Sequence, residues 1–350
     1  PSDSYKAQND ILAYYLGMKL PIYALFNVYA GLRVENNKQV LNGFDNKTNL
    51  PLDITNKTTD LFPSLNITYT ITEKALIRFA YGLTVNRPEF REIAPYSYYD
   101  FALKSTVYGN DSLKNAYVQN FDLRYELYPS MGEMLNIGFF YKKFDNPIEA
   151  TLFPTSGSGG WDYLFVNTKS STSLGAEIDM RKSFASLTNS TNFLKNFRYF
   201  TLTLNASYIY SKIVSDASYV RDKERPMQGQ SPFIVNTGIY YQNEKGLMVS
   251  VLYNVIGKRI MYVGNPNSPH IYEMPFHLLD LSVNKTVNKH LTVKFGVKNL
   301  LDDKVIFKQI VTFNKDINND GVGDGEVERE QITKEYKPGR YFSVGFSYQF

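Results

Sequence analysis

The chain has 350 residues, a formal net charge of +4 and no cysteine. This small net charge gives no argument for nucleic-acid binding, and the lack of cysteine excludes disulfides, thiolate metal sites and cysteine nucleophiles. Mean hydropathy is -0.31, and no apolar run approaches the roughly 20 residues that a transmembrane helix needs. A helical membrane protein is therefore excluded, whereas a β-barrel is not, because its strands are only half apolar.

Segments in which apolar and polar residues alternate recur along the whole chain. In one of them, Ile77, Phe79 and Tyr81 alternate with Arg78 and Ala80. Successive side chains of a strand point to opposite faces, so each segment is predicted to be a strand with one apolar and one polar face. Each is about ten residues long, which crosses a bilayer at a tilt. About 13 strands are predicted in this way, with approximate cores at 10–20, 24–36, 60–71, 75–86, 116–128, 133–147, 162–183, 198–213, 230–243, 246–262, 275–287, 291–306 and 338–350.

Charged residues inside these segments lie on the polar face. The examples are Arg33, Glu35, Arg78, Asp122, Arg124, Glu126, Asp280, Lys294 and Lys298. On a lipid-facing surface near the bilayer midplane, each Arg or Lys would cost about 2–4 kcal/mol. Their consistent side therefore favours a barrel wall that faces lipid on one side and a wet lumen on the other.

The connections between the predicted strands have two lengths, which alternate along the chain. Short polar or glycine-bearing turns lie at 71–74, 129–132, 243–246 and 287–290. Long connections cover about 37–58, 87–114, 153–161, 214–229, 263–274 and 307–337. Outer-membrane barrels have short periplasmic turns and long extracellular loops. The connection at about 184–197 is interpreted as an elaborated periplasmic turn.

The aromatic content and the strand count narrow the fold class further. Aromatic residues make up 15% of the chain, with 28 Tyr and 24 Phe against one Trp. This content fits the aromatic girdles of a membrane barrel, and the alternative is a soluble all-β protein with a tyrosine-rich surface. Single-chain bacterial barrels have even strand numbers. An odd count means either that one strand is missed or that the chain is the C-terminal portion of a larger barrel, and we expect the second. The start at Pro1 without Met indicates either a removed signal peptide or a fragment of a longer protein.

Five stretches resemble the C-terminal half of a TonB-dependent outer-membrane receptor of the Bacteroidetes type. The first three look like a strand-to-loop passage, its return strand and the next hairpin, and the last two look like an Asn-Leu-Leu-Asp element and the closing strand. They are 86–95, 110–126, 139–149, 298–302 and 339–350. The terminal Phe350 is similar to the outer-membrane assembly signal.

The resemblance implies an all-β fold, an antiparallel up-and-down transmembrane barrel of about 22 strands of which residues 1–350 form the C-terminal portion. An N-terminal plug domain and the first strands would lie outside this chain. The implied function is active import of a scarce nutrient, such as an iron chelate, haem, cobalamin, a glycan or a peptide, across the bacterial outer membrane. The implied partners are outer-membrane lipid, the TonB complex acting through the plug, the small nutrient and a surface lipoprotein, with no nucleic acid.

Two other functions without TonB coupling stay open from the residues alone. One is a passive outer-membrane channel, and the other is a surface adhesin or structural barrel. An enzyme is not expected. The three histidines, His270, His277 and His290, lack the spacing of a metal pair such as His-Glu-x-x-His, and there is no glycine-rich phosphate loop.

The sharpest candidate for a bound ion lies in the last long loop. The segment 316–324 reads Asp-x-Asn-x-Asp-Gly-x-x-Asp. Calcium takes six to eight oxygen ligands, which acidic and amide side chains at alternate positions of a tight loop supply. The predicted ligands are Asp316, Asn318, Asp320, Val322 through its backbone carbonyl, and Asp324. The alternative is an Asn/Asp/Gly-rich turn without an ion. No cofactor is otherwise required.

A second candidate site is an aromatic loop after the fourth predicted strand. Clustered rings can stack on a sugar, a haem or an aromatic iron chelator. The predicted ligand-binding residues are Tyr96, Tyr98, Tyr99, Phe101, Tyr108 and, in a later loop, Trp161. The alternatives are a loop whose rings form a core of their own and, for Trp161, an interfacial anchor.

Overall fold

The computed structural model describes residues 4–23, 25–45, 50–101, 105–154, 161–185, 194–215, 220–266, 268–314 and 326–350. In chain order the strands are β1 (Lys6–Ile22), β2 (Phe26–Asp45), β3 (Leu50–Thr72), β4 (Ala75–Asn86), β5 (Ser97–Asp100), β6 (Ser105–Tyr108), β7 (Ala116–Leu127), β8 (Met134–Asp145), β9 (Ile148–Pro154), β10 (Trp161–Asn167), β11 (Ser170–Ser183), β12 (Phe200–Val214), β13 (Glu224–Arg225), β14 (Phe233–Gln242), β15 (Leu247–Ile256), β16 (Arg259–Tyr262), β17 (Ile271–Glu273), β18 (Phe276–Thr286), β19 (Leu291–Lys298), β20 (Val305–Asn314), β21 (Glu326–Tyr336) and β22 (Tyr341–Tyr348). A short helix α1 (Phe90–Ile93) precedes β5, and a 3-10 helix (Leu194–Tyr199) precedes β12.

One antiparallel sheet dominates the structure, and 13 of its strands form a continuous path in which each strand is hydrogen-bonded to the next. Its order is β1-β2-β3-β4-β7-β8-β11-β12-β14-β15-β18-β19-β22, and the two-residue strand β13 pairs with β12 beside this path. Each of the 13 predicted segments overlaps one of these strands, so the predicted up-and-down antiparallel fold is confirmed. Among the described residues, β1 and β22 pair with a neighbour on one side only.

The alternation of β22 shows why these segments form a two-faced wall. Phe342, Val344 and Phe346 share one face, and their exposed fractions are 61%, 64% and 73%. Burying such side chains in an apolar surrounding removes a large area from water. The wall therefore presents an apolar surface that only lipid or another apolar surface would cover.

The turns at one end of the sheet are short, as predicted. Gly132 and Gly246 adopt φ values of +78° and +72° in two of them, a conformation that a glycine adopts without steric cost. We call this the short-turn end and the opposite one the long-loop end. Within the described segments, no helix is long and apolar enough to cross a membrane.

The predicted long connections contain more regular structure than expected. The segment 37–58 continues the ladder of β2 with β3 up to the pair Asp45 and Leu50. Its polar residues hide the alternation, yet every second side chain of β2 from Asn37 to Leu41 is buried. The predicted strands at 162–183 and 246–262 each break in two, and their outer parts join separate sheets.

Two four-stranded sheets stand at the long-loop end. One has the order β5-β6-β10-β9 and the other β16-β17-β20-β21. A small core packs where α1 meets the extended end of β2 and consists of Leu41, Ile93, Ala94, Tyr96 and Leu113. A second core, in the first loop sheet, is formed by Val107 and Tyr163. These sheets position the candidate site.

Candidate functional site at the long-loop end

The first loop sheet joins loops that come from two different places in the main sheet. The β5–β6 hairpin lies in the connection between β4 and β7, whereas β9 and β10 lie in the connection between β8 and β11. Strands β6 and β10 pair in parallel through Thr106 with Asp162 and Tyr108 with Leu164. The two loops therefore form one body, which holds the predicted aromatic residues.

Tyr96 lies at the base of this body and is almost completely buried, with 8% of its surface exposed. Its hydroxyl accepts a hydrogen bond of 2.9 Å from the backbone N–H of Phe44, and its ring stacks on that of Tyr5 at a centroid distance of 6.1 Å. Any side chain at Gly43 would collide with the Tyr96 hydroxyl. Tyr96 thus ties the loop to the end of β2.

Tyr98 occupies the inner face of the β5–β6 hairpin. It lies opposite Val107 and packs against the core that Val107 forms with Tyr163. Arg91 of α1 donates a hydrogen bond of 2.6 Å to the Tyr98 hydroxyl, and its guanidinium carbon lies 4.7 Å from the ring centroid. Tyr98 is therefore half-buried and lies next to a cation.

Tyr99, Phe101 and Tyr108 point away from that core. Their exposed fractions are 50%, 84% and 36%, and the rings of Tyr99 and Phe101 meet edge to face at 5.1 Å. Burial and a hydrogen bond with Asp162 raise the pKa of the Tyr108 hydroxyl, so it stays protonated. The structure therefore divides the predicted aromatic cluster into two packed residues, Tyr96 and Tyr98, and three exposed rings.

Two further predicted sites, Trp161 and the calcium loop, are described only in part or not at all. Trp161 is the first residue of β10, and its backbone pairs with Pro154 of β9. The segment 316–324 lies outside the described residues, so both the calcium site and the role of the Trp161 ring stay predictions. Within the described ranges, no group of three or more His, Asp or Glu side chains is arranged to hold a metal ion.

Tyr163 and Tyr262 link the first loop sheet to the second, and neither was singled out from the sequence. Their ring centroids are 5.6 Å apart, and a bridge between Thr151 and Val263 connects the same two sheets. Burial, followed by the charges of Tyr262 and Asp100, raises the pKa of Tyr163 well above its usual range. The contact is thus a pair of neutral aromatic rings rather than a phenolate site.

An ion pair between Glu149 and Arg225 joins β9 to β13. The side chains are 6% and 2% exposed, and the two closest atoms, Oε2 and Nη2, are 2.5 Å apart. A second contact of 3.3 Å joins Nη1 to Oε1, and the backbone N–H of Gln228 also donates to Oε1 at 3.2 Å. Such two-point geometry holds both side chains in one orientation.

His270 holds the neighbouring loop through both of its ring nitrogens. The backbone N–H of Gly264 donates to Nδ1 at 2.7 Å, so the ring proton lies on Nε2, which donates to Asp222 at 2.8 Å. Burial lowers the pKa of His270, and the hydrogen bond with Asp222 opposes this shift only in part. The histidine is therefore neutral near pH 7 and acts as a connector.

The polar wall below the loops carries a second charged cluster, where Arg87 follows the end of β4. Its guanidinium lies 2.9 Å from Glu35 and 2.8 Å from Asp60, and Tyr117 donates to Asp60 at 2.5 Å. A pocket of about 500 Å³ beside it contains Arg87 and Arg91. The same pocket is also lined by Asn9, Gln39 and Glu89 and by the rings of Tyr5 and Phe90, so it offers polar and aromatic contacts to a ligand.

Comparisons with known proteins agree on the family and the fold. Residues 1–300 match the sequence profile described as "TonB dependent receptor-like, beta-barrel". No curated protein sequence matches the chain. The solved structures that are similar in fold include the three described next.

The siderophore receptor PirA from Pseudomonas aeruginosa has a TM-score of 0.53 at 17% identity, with 85% of this chain and 54% of that chain covered. The ferric-catecholate import receptor Fiu from E. coli K12 has a TM-score of 0.62 at 14% identity, with 86% of this chain and 42% of that chain covered. The ferric yersiniabactin uptake receptor FyuA from Yersinia pestis has a TM-score of 0.62 at 13% identity, with 99% of this chain and 46% of that chain covered. The chain therefore spans about half the length of the structures it matches, and this level of identity supports the fold alone.

Proposed function

Because the chain belongs to the family of TonB-dependent receptors through its β-barrel, we propose that it forms part of a receptor that imports a scarce nutrient across the outer membrane. The match over residues 1–300 is the observation that carries this proposal. The 13-strand antiparallel sheet is consistent with it, since a wall of this kind can surround a lumen wide enough to transport a ligand.

The family fixes the location of the protein. Barrels of this family lie in the bacterial outer membrane, and this confirms the location predicted from the alternating strands. The family consists of transporters and not of enzymes, in agreement with the prediction that an enzyme is not expected. The Bacteroidetes type and the position within a longer barrel remain predictions.

For the nutrient, we propose an iron chelate as the first candidate of the predicted set. PirA, Fiu and FyuA are named as receptors for siderophores or ferric complexes, and this chain shares their fold. Exposed rings of Tyr99 and Phe101 suit an aromatic chelator, and Arg91 beside Tyr98 suits its negative charge. Haem, cobalamin, a glycan and a peptide remain the other members of that set.

The proposal includes partners outside this chain. Energy would come from the TonB complex, which would act on a plug domain enclosed by the barrel, and a surface lipoprotein is a further proposed partner. The chain itself would supply the barrel wall and the extracellular loops that first contact the nutrient. Long loops are placed on the extracellular side because outer-membrane barrels keep their short turns in the periplasm.

A growth and uptake experiment tests the proposed function. A strain that lacks the gene is complemented with the full-length gene, and uptake of radiolabelled ferric catecholate is measured with and without a proton-motive-force inhibitor. We expect uptake that needs both the gene and the proton-motive force. Uptake that persists without the proton-motive force would instead indicate a passive channel.

Two variants locate the nutrient contact. Tyr99→Ala combined with Phe101→Ala should lower uptake at limiting chelate concentration, whereas Met131→Ala, a fully exposed residue in a turn at the short-turn end, should leave it unchanged. Equal uptake by both variants would contradict a role for the exposed rings while leaving import itself intact.

A further inference from the structure

The long connections at the long-loop end contact one another in the order in which they leave the wall. On the extended end of β2, Gln39 donates from its side chain to the carbonyl of Pro88, 3.1 Å away in the connection between β4 and β7. That connection binds the next one, between β8 and β11, because the Lys114 N–H donates to Asn167 Oδ1 at 2.8 Å and the Lys114 carbonyl accepts from Asn167 Nδ2 at 3.0 Å. Parallel pairing of β6 with β10 joins the same two connections.

The contacts continue through the remaining three connections. Gln228, between β12 and β14, donates from its backbone N–H to Glu149 of β9 at 3.2 Å and from its side chain to the carbonyl of Met261 of β16 at 2.9 Å. Strand β17 then pairs with β20, which belongs to the connection between β19 and β22, through Ile271 and Gln309. Each long connection is therefore bound to the next by hydrogen bonds to or from the backbone.

We call this continuous layer the collar. It consists of the described residues in the segments 37–58, 87–115, 146–169, 215–232, 257–275 and 299–340. Apart from the extended ends of β2 and β3 and the two-residue strand β13, its strands belong to the two loop sheets, which are separate from the main sheet. Most of the collar can therefore open without breaking a ladder of the wall.

A first core shared by three connections holds one part of the collar together. It brings together Leu41 of β2, Tyr96 of the connection between β4 and β7, and Ile148 of β9. Removing any one of these connections would expose apolar surface of the other two to water, which opposes the separation. Opening of one connection is thus coupled to opening of its neighbours.

A second shared core couples the first loop sheet to the second. Val107 of β6 and Tyr163 of β10 form this core, and Tyr262 of β16 packs against it. Beside it, Thr151 of β9 forms a bridge with Val263, and these two residues are 1% and 0% exposed. The two cores together include side chains from the connections on both sides of β7 and β8 and from the one after β15. Proteins open locally in contiguous cooperative units, and shared cores of this kind define such a unit.

We propose that the collar is one cooperative unit, which opens as a whole while the wall below it stays closed. The ladders of the wall lie in the bilayer, where an unpaired backbone group has no water to bond with, whereas groups released in the collar are hydrated. Access to the lumen from the long-loop end is then governed by a single equilibrium between an open and a closed collar, and not by six independent loops. This inference does not depend on which nutrient the receptor imports.

Native-state hydrogen exchange of the purified full-length receptor in detergent micelles tests the proposal. Asn167→Ala removes the side chain that binds Lys114 and so loosens the contact between two connections. We expect the backbone amides of β5 and β6 to exchange about fivefold faster, the effect of one lost hydrogen bond. The same factor is expected in β16, β17 and β20, whose described residues form no hydrogen bond with Asn167, because all these strands would open in one step.

A reciprocal variant and a matched control complete the experiment. Gln228→Ala removes the donor to the Met261 carbonyl and should accelerate exchange in β5 and β6, two connections away, by the same factor as in β16. Asn243→Ala is the control, because Asn243 accepts from the backbone N–H groups of Lys245 and Leu247 in a turn at the short-turn end. Exchange in the collar should stay unchanged in this variant.

Four results would overturn the proposal. Faster exchange confined to β5, β6, β9 and β10 in Asn167→Ala, or to β16 in Gln228→Ala, would show that the connections open independently. Equal acceleration of the wall strands β7 and β8 would show that the receptor unfolds as a whole. Acceleration of the collar by Asn243→Ala would show that its exchange reports a general loss of stability. No acceleration in Asn167→Ala or Gln228→Ala would show that these contacts do not keep the collar closed.

Discussion

Glu149 Oε2 lies 2.5 Å from Arg225 Nη2 in a pair of side chains that are almost fully withdrawn from water. Removing one partner would leave the other charge buried and unpaired, which typically costs about 3–5 kcal/mol. Glu149→Gln should therefore release β9 from β13. We expect faster hydrogen–deuterium exchange of the backbone amides in β9 than in the parent protein.

The double variant Glu149→Leu, Arg225→Met is the control for this prediction. Replacing both partners of a buried ion pair by apolar residues of similar volume is often neutral or stabilising. Slow exchange in β9 should return in the double variant. If the amides of β9 exchanged equally fast in the single and the double variant, the unpaired charge of Arg225 would not be the cause of the faster exchange.

The state of His270 predicts a dependence of loop stability on pH. In the unfolded chain the histidine takes up a proton near pH 6.5, whereas burial lowers the pKa of His270 in the folded protein. Between these two pKa values the unfolded state binds more protons, so stability falls as the pH is lowered through about 6.5. Acidification would also break the hydrogen bond from Gly264, because a protonated Nδ1 cannot accept it.

Limited proteolysis between pH 8 and pH 5 measures this effect at the 263–274 loop. Charged groups around the ring are Asp222, Arg221 and Arg225, and only Asp222 favours the protonated form. Cleavage should increase on acidification in the parent protein and stay constant in His270→Gln, whose amide can donate to Asp222 and accept from Gly264 at every pH. A variant as pH-sensitive as the parent would assign the effect to another group.

Tyr96 and Tyr99 should respond differently to loss of the hydroxyl. Tyr96→Phe removes the acceptor for the Phe44 N–H and should lower the stability of the loop by about 1 kcal/mol. Tyr99→Phe removes a hydroxyl from a half-exposed side chain and should change stability by less than about 0.5 kcal/mol. Local unfolding free energies from hydrogen exchange of β5 compare the two variants directly.

Calcium binding to the segment 316–324 stays a prediction that titration calorimetry can test. We expect uptake of one Ca²⁺ that is lost in Asp316→Asn combined with Asp320→Asn, because calcium affinity falls with the number of charged ligands. A matched control is Asp303→Asn, which changes a carboxylate outside the loop. Heat release that persists without Asp316 and Asp320 would exclude this site.

The alternating parts of the main-sheet strands were predictable because each of them carries its own signal. In β22, alternation within eight residues determines which face is apolar, regardless of the partner strand. The two loop sheets carry no such signal. Strand β17 has three residues, too few for a period to be recognised, and in β2 the polar residues from Asn36 to Gln39 conceal an alternation of burial that only the fold reveals.

The candidate site was predicted only in part, because only some of its residues carry a local signal in the sequence. Clustering along the chain made Tyr96, Tyr98 and Tyr99 visible, but nothing local distinguishes the buried Tyr96 from the exposed Tyr99. Arg225 and Glu149 are 76 positions apart, and each looks like an ordinary surface charge in the sequence. Pairs of this kind arise from topology, which brings the connections after β8 and β12 together.

Parallel pairing of β6 with β10 has a consequence for the order of assembly. These strands belong to loops on opposite sides of the β7–β8 hairpin, so they cannot meet until β4, β7, β8 and β11 lie side by side. Closing such a long-range contact is slow compared with forming a hairpin. The loops of the candidate site would then form after the wall, and a wall assembled out of register would prevent β6 from pairing with β10.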